Sequence, residues 1–229
     1  MSKTALIVGA GPGLSASLAR LLAAEGMPVA LAARDVSKLG ELCAATGARA
    51  FACDATSPAD VASMFTAVDA ALGSPEVVIY NASGRVRGPI TELDPQLVAQ
   101  AIATSAYGGF LVAQQAARRM LPRKSGTILL TGASASVKGY PNSSSFAMGK
   151  FALRGLAQSL ARELAPSGIH VAHFVIDGGI RSSARQTPES APDSLLEPDA
   201  IAASYLHILQ QPRSAWTWEV ELRPWVEKF

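Results

Sequence analysis

The sequence predicts an α/β fold: a doubly wound, seven-stranded parallel sheet with helices on both faces. Three observations carry this. Seven short apolar runs alternate with stretches of helical periodicity between Ala5 and Leu222, the order that builds parallel strands joined by crossover helices. The best-formed runs, Ala5–Val8 and Val77–Tyr80, are continuously apolar, which suits strands covered on both faces. A glycine-rich turn, Gly9-Ala-Gly11-Pro-Gly13, separates the first run from the first helical stretch. Right-handed crossovers then leave a doubly wound sheet as the natural topology.

After the first strand, Leu14, Leu18, Leu21 and Leu22 recur at helix spacing. The second strand, Val29–Ala33, leads to Asp35, the cap of a helix that runs to about Thr46 and stops at Gly47. Ala48–Cys53 is the third strand. Ser57-Pro58 supplies a cap and a first-turn proline for a helix to about Leu72, ended by Gly73. The fourth strand, Val77–Tyr80, opens into a loop through Pro89. Asp94-Pro95 starts a long helix to about Met120. Its Gly108-Gly109 pair costs about 1 kcal/mol per residue against alanine and implies close packing in return. Gly126–Thr131 is the fifth strand, Ser143–Leu164 the next helix and Ile169–Ile176 the sixth strand. Residues 178–198 are polar, Pro-containing and without periodicity, and read as a loop. A helix from Asp199 to about Leu209 and a strand at Trp218–Leu222 close the chain. Residues 1–229 read as one Rossmann domain, with a substrate lid around 178–198.

Composition excludes several classes of function. A formal charge of +2 over 229 residues leaves no electrostatic footprint for nucleic acid and no membrane-surface patch. The three histidines, 170, 173 and 207, have no metal-ligand spacing, and His170 and His173 fall on opposite faces of a strand. Cys43 and Cys53 make no disulfide framework and read as buried free thiols. No apolar run in the sequence reaches the ~20 residues that span a bilayer, and no cleavage site follows the first strand. The chain reads as cytoplasmic and unprocessed.

In an open α/β sheet the ligand lies beyond the carboxyl ends of the strands. The glycine turn, followed by a helix N-terminus, is a phosphate cradle there. Its plainer alternative is a corner that needs glycine for packing alone. The other strand ends bring Ala33-Arg34, Asp54, Asn81-Ala82 and Asp177-Gly178-Gly179-Ile180.

Read together, the turn spaced G-x-x-x-G-x-G from Gly9, the lone Asp54, Asn81-Ala82 and Lys150 in the helix after strand five resemble the short-chain dehydrogenase/reductase family over nearly the whole chain. Ser15 stands where that spacing has its last glycine. The resemblance implies a nicotinamide cofactor held by Gly9, Gly11, Gly13, Leu14, Ser15, Asp54, Asn81, Ala82, Lys150, Gly178 and Ile180. Asp54 would meet the adenine amino group or, more plainly, cap its own turn. Arg34 with no carboxylate at Ala33 favours the 2′-phosphate of NADP over NAD, unless Arg34 is only a solvated residue before a cap.

The resemblance also implies a catalytic tyrosine, serine and asparagine beside the lysine. Those positions hold Phe146, Ala133 and Ser105. Two functions are therefore expected. One is an oxidoreductase on a carbonyl or alcohol substrate, with Lys150 and Ser134 as its catalytic candidates. Tyr140, more plainly a packing aromatic in a loop, Tyr107, more plainly an interface or core residue, and Asp177 are further candidate donors. The other is an NADP-binding scaffold or sensor without turnover; a purely structural protein is weaker still. By the same resemblance, the two long helices pair between subunits through faces that carry small residues, which implies a homodimer or homotetramer.

Overall fold

Residues 3–227 are described by the structure, a computed structural model. Seven parallel strands form one sheet in the order β3-β2-β1-β4-β5-β6-β7. They are β1 (Ala5–Val8), β2 (Val29–Ala33), β3 (Arg49–Ala52), β4 (Val77–Tyr80), β5 (Gly126–Thr131), β6 (Ile169–Ile176) and β7 (Glu219–Leu222). The helices are α1 (Leu14–Ala24), α2 (Gly40–Thr46), α3 (Pro58–Leu72), α4 (Pro95–Ile102), α5 (Gly108–Arg123), α6 (Ser144–Leu164) and α7 (Pro198–Leu209). The order reverses at β1, which pairs with β2 on one side and β4 on the other. A crevice opens there beyond the strand ends.

Alternate strand residues feed two cores. Leu6, Val8, Val78, Tyr80, Ile128 and Leu130 pack with Phe65, Val112, Met120 and Leu153 of α3, α5 and α6. Ala5, Ile7, Leu31, Ile79 and Leu129 pack with Leu18, Leu22, Ile201 and Tyr205 of α1 and α7. This is the two-sided burial that the continuous apolar runs predict. β3 departs from it: it is shorter than Ala48–Cys53 and mostly exposed, because it is an edge strand. The stretch after Asp35 likewise begins as a 3-10 turn, Val36–Leu39, before α2.

The predicted long helix is continuous from Pro95 to Arg123 but swells into a π turn at Ala103–Tyr107. Its glycine pair does pack closely. A Cβ on Gly108 would collide with the Tyr80 hydroxyl, and one on Gly109 would crowd Leu153. This helix corrects one expectation: at 29 residues, with an 18-residue stretch of mean hydropathy 1.2, it is long and apolar enough to cross a membrane. Here its apolar side, Val112, Ala113, Ala116 and Met120, is core against the sheet. Cys43 is a second correction, being half-buried; Cys53 is buried, and both thiols are free. His170 stacks on Trp216 at 4.7 Å, whereas His173 on the opposite face meets Glu219 at 3.0 Å. Trp218 lies beside Arg154, and Trp225 is exposed.

Candidate active site

The glycine turn is shaped first by its own backbone. Gly9 has φ +88°, and a Cβ there would collide with the backbone of Ala82 in the loop after β4. Gly13 has φ +92° and caps α1 with no side-chain hydrogen bond. A Cβ on Gly11, in contrast, would meet nothing within 4 Å. So Gly9 serves packing, while Gly11 and Gly13 leave open space before an uncapped helix N-terminus, where N–H groups and the helix dipole favour an anion.

Ser15 explains its own departure from glycine. It is buried; its Oγ donates to the Gly9 carbonyl at 3.0 Å and accepts from Asn81 Nδ2 at 2.7 Å. The hydroxyl thus ties the turn to the loop after β4. Ser15 and Asn81 side chains meet each other, and Leu14 and Asn81 line the crevice.

One end of the crevice is a cavity of about 420 Å³ lined by Gly9, Gly11, Ala33, Arg34, Lys38, Asp54 and Ala82. Asp54 Oδ1 accepts from Thr56 N at 2.9 Å and Thr56 Oγ1 at 2.8 Å. Those bonds, with a smaller contribution from Arg34, hold its carboxyl below the usual range. The turn-cap reading of Asp54 is therefore realised by one of its oxygens. Asp35 accepts from Ser37 N at 3.1 Å and pairs with Lys38 at 3.4 Å. Lys38 escaped the sequence reading, although a second cation close behind Arg34 was a visible signal.

The other end is a cavity of about 990 Å³. Lys150 of α6 enters it from below, 3% exposed, and donates from Nζ to the Thr131 carbonyl at the end of β5, 2.7 Å away. Burial alone lowers its pKa from 10.5 to about 8. The ring of Phe146, one turn earlier on the same helix, has Lys150 Nζ 5.9 Å from its centroid and the Arg85 guanidinium 4.5 Å from it.

β5 ends at Thr131, before Ala133 and Ser134. Ser134 instead begins a 3-10 turn through Ser136, and both Ala133 and Ser134 line the cavity. Ser136 is buried, accepting from Ala133 N at 3.1 Å with His173 Nε2 3.4 Å away. His173 is held neutral, with a pKa lowered to about 4 chiefly by burial. Ser105 sits in the π turn, its Oγ accepting from Gly84 N at 3.0 Å and donating to Gly84 O at 3.2 Å. Among the further candidate donors, Tyr140 lines the cavity. Tyr107 stacks on Phe110 on the outer surface, and Asp177 is buried in an ion pair with Lys138 at 3.1 Å. Neither belongs to the cavity wall. Gly178 and Ile180 do, and the segment they begin is pinned at its base by Ile180 pairing with Leu196 and by an Arg181–Glu197 ion pair. Arg85, Arg87 and Arg185 also line this end. The sequence signal for the first two was the Arg-x-Arg of the loop after β4.

Residues 3–192 match the family described as short chain dehydrogenase. The chain belongs to the short-chain dehydrogenase family. A short-chain dehydrogenase from Rhodopseudomonas palustris is 36% identical, with a TM-score of 0.83 over 97% of this chain and 99% of that one. "Short chain aldehyde dehydrogenase 1" from Euphorbia lathyris is 32% identical over 182 residues, 74% of this chain and 61% of the relative's length. The chain therefore spans about three fifths of that plant relative. An alcohol dehydrogenase from the archaeon Thermococcus sibiricus, complexed with 5-hydroxy-NADP, shares the fold at a TM-score of 0.87 and 24% identity, covering 100% of this chain and 99% of that one. As a short-chain dehydrogenase, the protein is an oxidoreductase by family, on a nucleotide-binding Rossmann sheet.

Proposed function

We propose that this short-chain dehydrogenase is an NADP-dependent oxidoreductase for a carbonyl or alcohol substrate, in which Lys150 replaces a tyrosine as the proton-handling group. The observation that carries it is the placement, in one crevice, of an uncapped glycine turn and a buried lysine. Open space at Gly11 fits a dinucleotide pyrophosphate against the N–H groups of Gly13 and Leu14. Arg34 and Lys38 fit a 2′-phosphate. Asp54, Asn81 and Ala82 would border the adenosine, and Lys150, Gly178 and Ile180 the nicotinamide half. When bound, NADP supplies the hydride. The protein's own part is the proton. A lysine with a pKa near 8 is matched to general acid catalysis around neutrality. Ser134 orients the substrate oxygen, since a serine is a poor acid. Residues 1–229 act as one unit, with 178–198 as the lid. The free thiols suit a reducing compartment such as the cytoplasm.

Titration with NADPH and NADH, followed by a carbonyl screen, tests this. Arg34→Ala weakens NADPH about tenfold or more, the scale of a charge-assisted hydrogen bond, and leaves NADH nearly unchanged. An equal loss for both cofactors removes the 2′-phosphate assignment. Phe146 and Ala133 favour a second reading, a cofactor-binding scaffold. It prevails if NADPH binds but is not oxidised across the panel.

We also infer a homodimer or homotetramer. Tyr107 and Phe110, which stack on each other, and Met148 and Phe151 of α6 are exposed apolar side chains that a subunit contact would cover. Phe151→Asp moves the sedimenting species toward a 23.7 kDa monomer. A wild-type protein already at that mass would refute the assembly.

A further inference from the structure

The large end of the crevice has a one-sided charge. Its walls carry Arg85, Arg87, Lys150, Arg181 and Arg185, and no aspartate or glutamate. The chain's net charge is only +2, so this is a local concentration of cations. Two of the five have other duties: Lys150 is buried against Thr131, and Arg181 is paired with Glu197. Arg85, Arg87 and Arg185 form no salt bridge among the described residues. They come from two loops about a hundred residues apart, one after β4 and one within 178–198, and they converge on one space. Arg85 lies over the Phe146 ring, and the positive fields of Arg87 and Arg185 reach it. The cations thus repel one another in the free protein, and a bound anion would relieve that repulsion. A crevice lined by one sign of charge also concentrates the opposite sign.

We propose that the substrate is an anionic carbonyl compound whose carboxylate or phosphate is held by Arg85, Arg87 and Arg185 above the Phe146 ring. This rests on the oxidoreductase reading for the word substrate, but the anion seat stands on the arginines alone. Guanidinium groups suit it because they form paired hydrogen bonds to carboxylate and phosphate oxygens. The position follows from Phe146, which lies one helical turn from Lys150 on the same helix. An acid group over that ring would sit near the reacting carbonyl without occupying its place.

The test is calorimetric titration of the free chain and of its NADPH complex with pyruvate, acetoacetate and levulinate, each beside its methyl ester, and with inorganic phosphate. At least one acid binds the NADPH complex about tenfold or more tightly than its ester. Phosphate competes with it. Arg85→Gln and Arg185→Gln abolish the preference, and Arg181→Gln, already paired, retains it. Esters that bind as well as acids overturn the proposal, as does a preference that survives both substitutions, or no binding by any acid. Acid binding that disappears once NADPH is present also overturns it, because the arginines would then belong to the cofactor phosphates. Failure of NADPH to bind at all removes the oxidoreductase reading instead, and the titrations of the free chain still decide the anion seat.

Discussion

Phe146→Tyr raises kcat/KM for NADPH-dependent carbonyl reduction by about 10²- to 10⁴-fold, the usual worth of a positioned general acid. The substitution adds one oxygen to a ring that is already in place. Two cations border that ring: the Arg85 guanidinium 4.5 Å and Lys150 Nζ 5.9 Å from its centroid. Nearby positive charge lowers the pKa of a phenol toward neutrality, which makes it a useful acid. The measurement is NADPH absorbance with time, beside a Phe146→Leu control that gains nothing. If the tyrosine variant binds NADPH as wild type does but reduces no faster, the missing phenol is not what limits this protein. In the wild type, with Lys150 handling the proton, reduction declines as pH rises through about 8, where that ammonium is lost. In Phe146→Tyr the decline follows the phenol instead.

Lys150→Met is the second large effect: reduction falls by about 10²-fold or more, whereas stability at neutral pH changes little. The stability argument depends on sign. The folded pKa, about 8, lies below the ordinary 10.5, so between those values the unfolded chain binds more protons. Lys150 therefore costs stability in full below pH 8, by up to about 3 kcal/mol, and the cost is relieved as pH climbs to 10.5. Methionine removes the charged group's desolvation but strands the Thr131 carbonyl, which costs about 1–3 kcal/mol. The two roughly offset at pH 7. Denaturant midpoints at pH 7 and 10 decide the matter, read as the difference between the two proteins. Cys53, raised to about 11, and the raised phenols of Tyr80 and Tyr205 pull the other way in both. Wild type gains on the variant as pH rises; parallel curves would mean that Lys150 titrates normally.

The frame of this fold was legible because its signals are local. Each core strand is a short apolar run, and Ser57-Pro58 and Asp94-Pro95 mark helix starts by cap chemistry within a few residues. Lys150 was singled out by the family resemblance, and its helix, α6, was legible from local periodicity. The misses depend on what meets in space. Arg85 and Arg185 are distant in sequence and share a wall only once β4 and β6 lie on one side of β1. Ser15 read as a flaw in a glycine pattern until Asn81 arrived beside it. The helix swells into a π turn around Ser105, where Gly84 and Gly149 approach Ala101 and Ser105 too closely for a Cβ, and no periodicity shows that meeting. The span from Pro95 to Arg123 has the composition of a membrane segment and becomes core because a sheet is there to receive it.

The Ser15 hydroxyl has a further consequence. By joining Gly9 to Asn81 it fastens two walls of the crevice into one rigid piece before any ligand arrives. That wall surrenders little conformational entropy on binding, so affinity there reflects contacts rather than ordering.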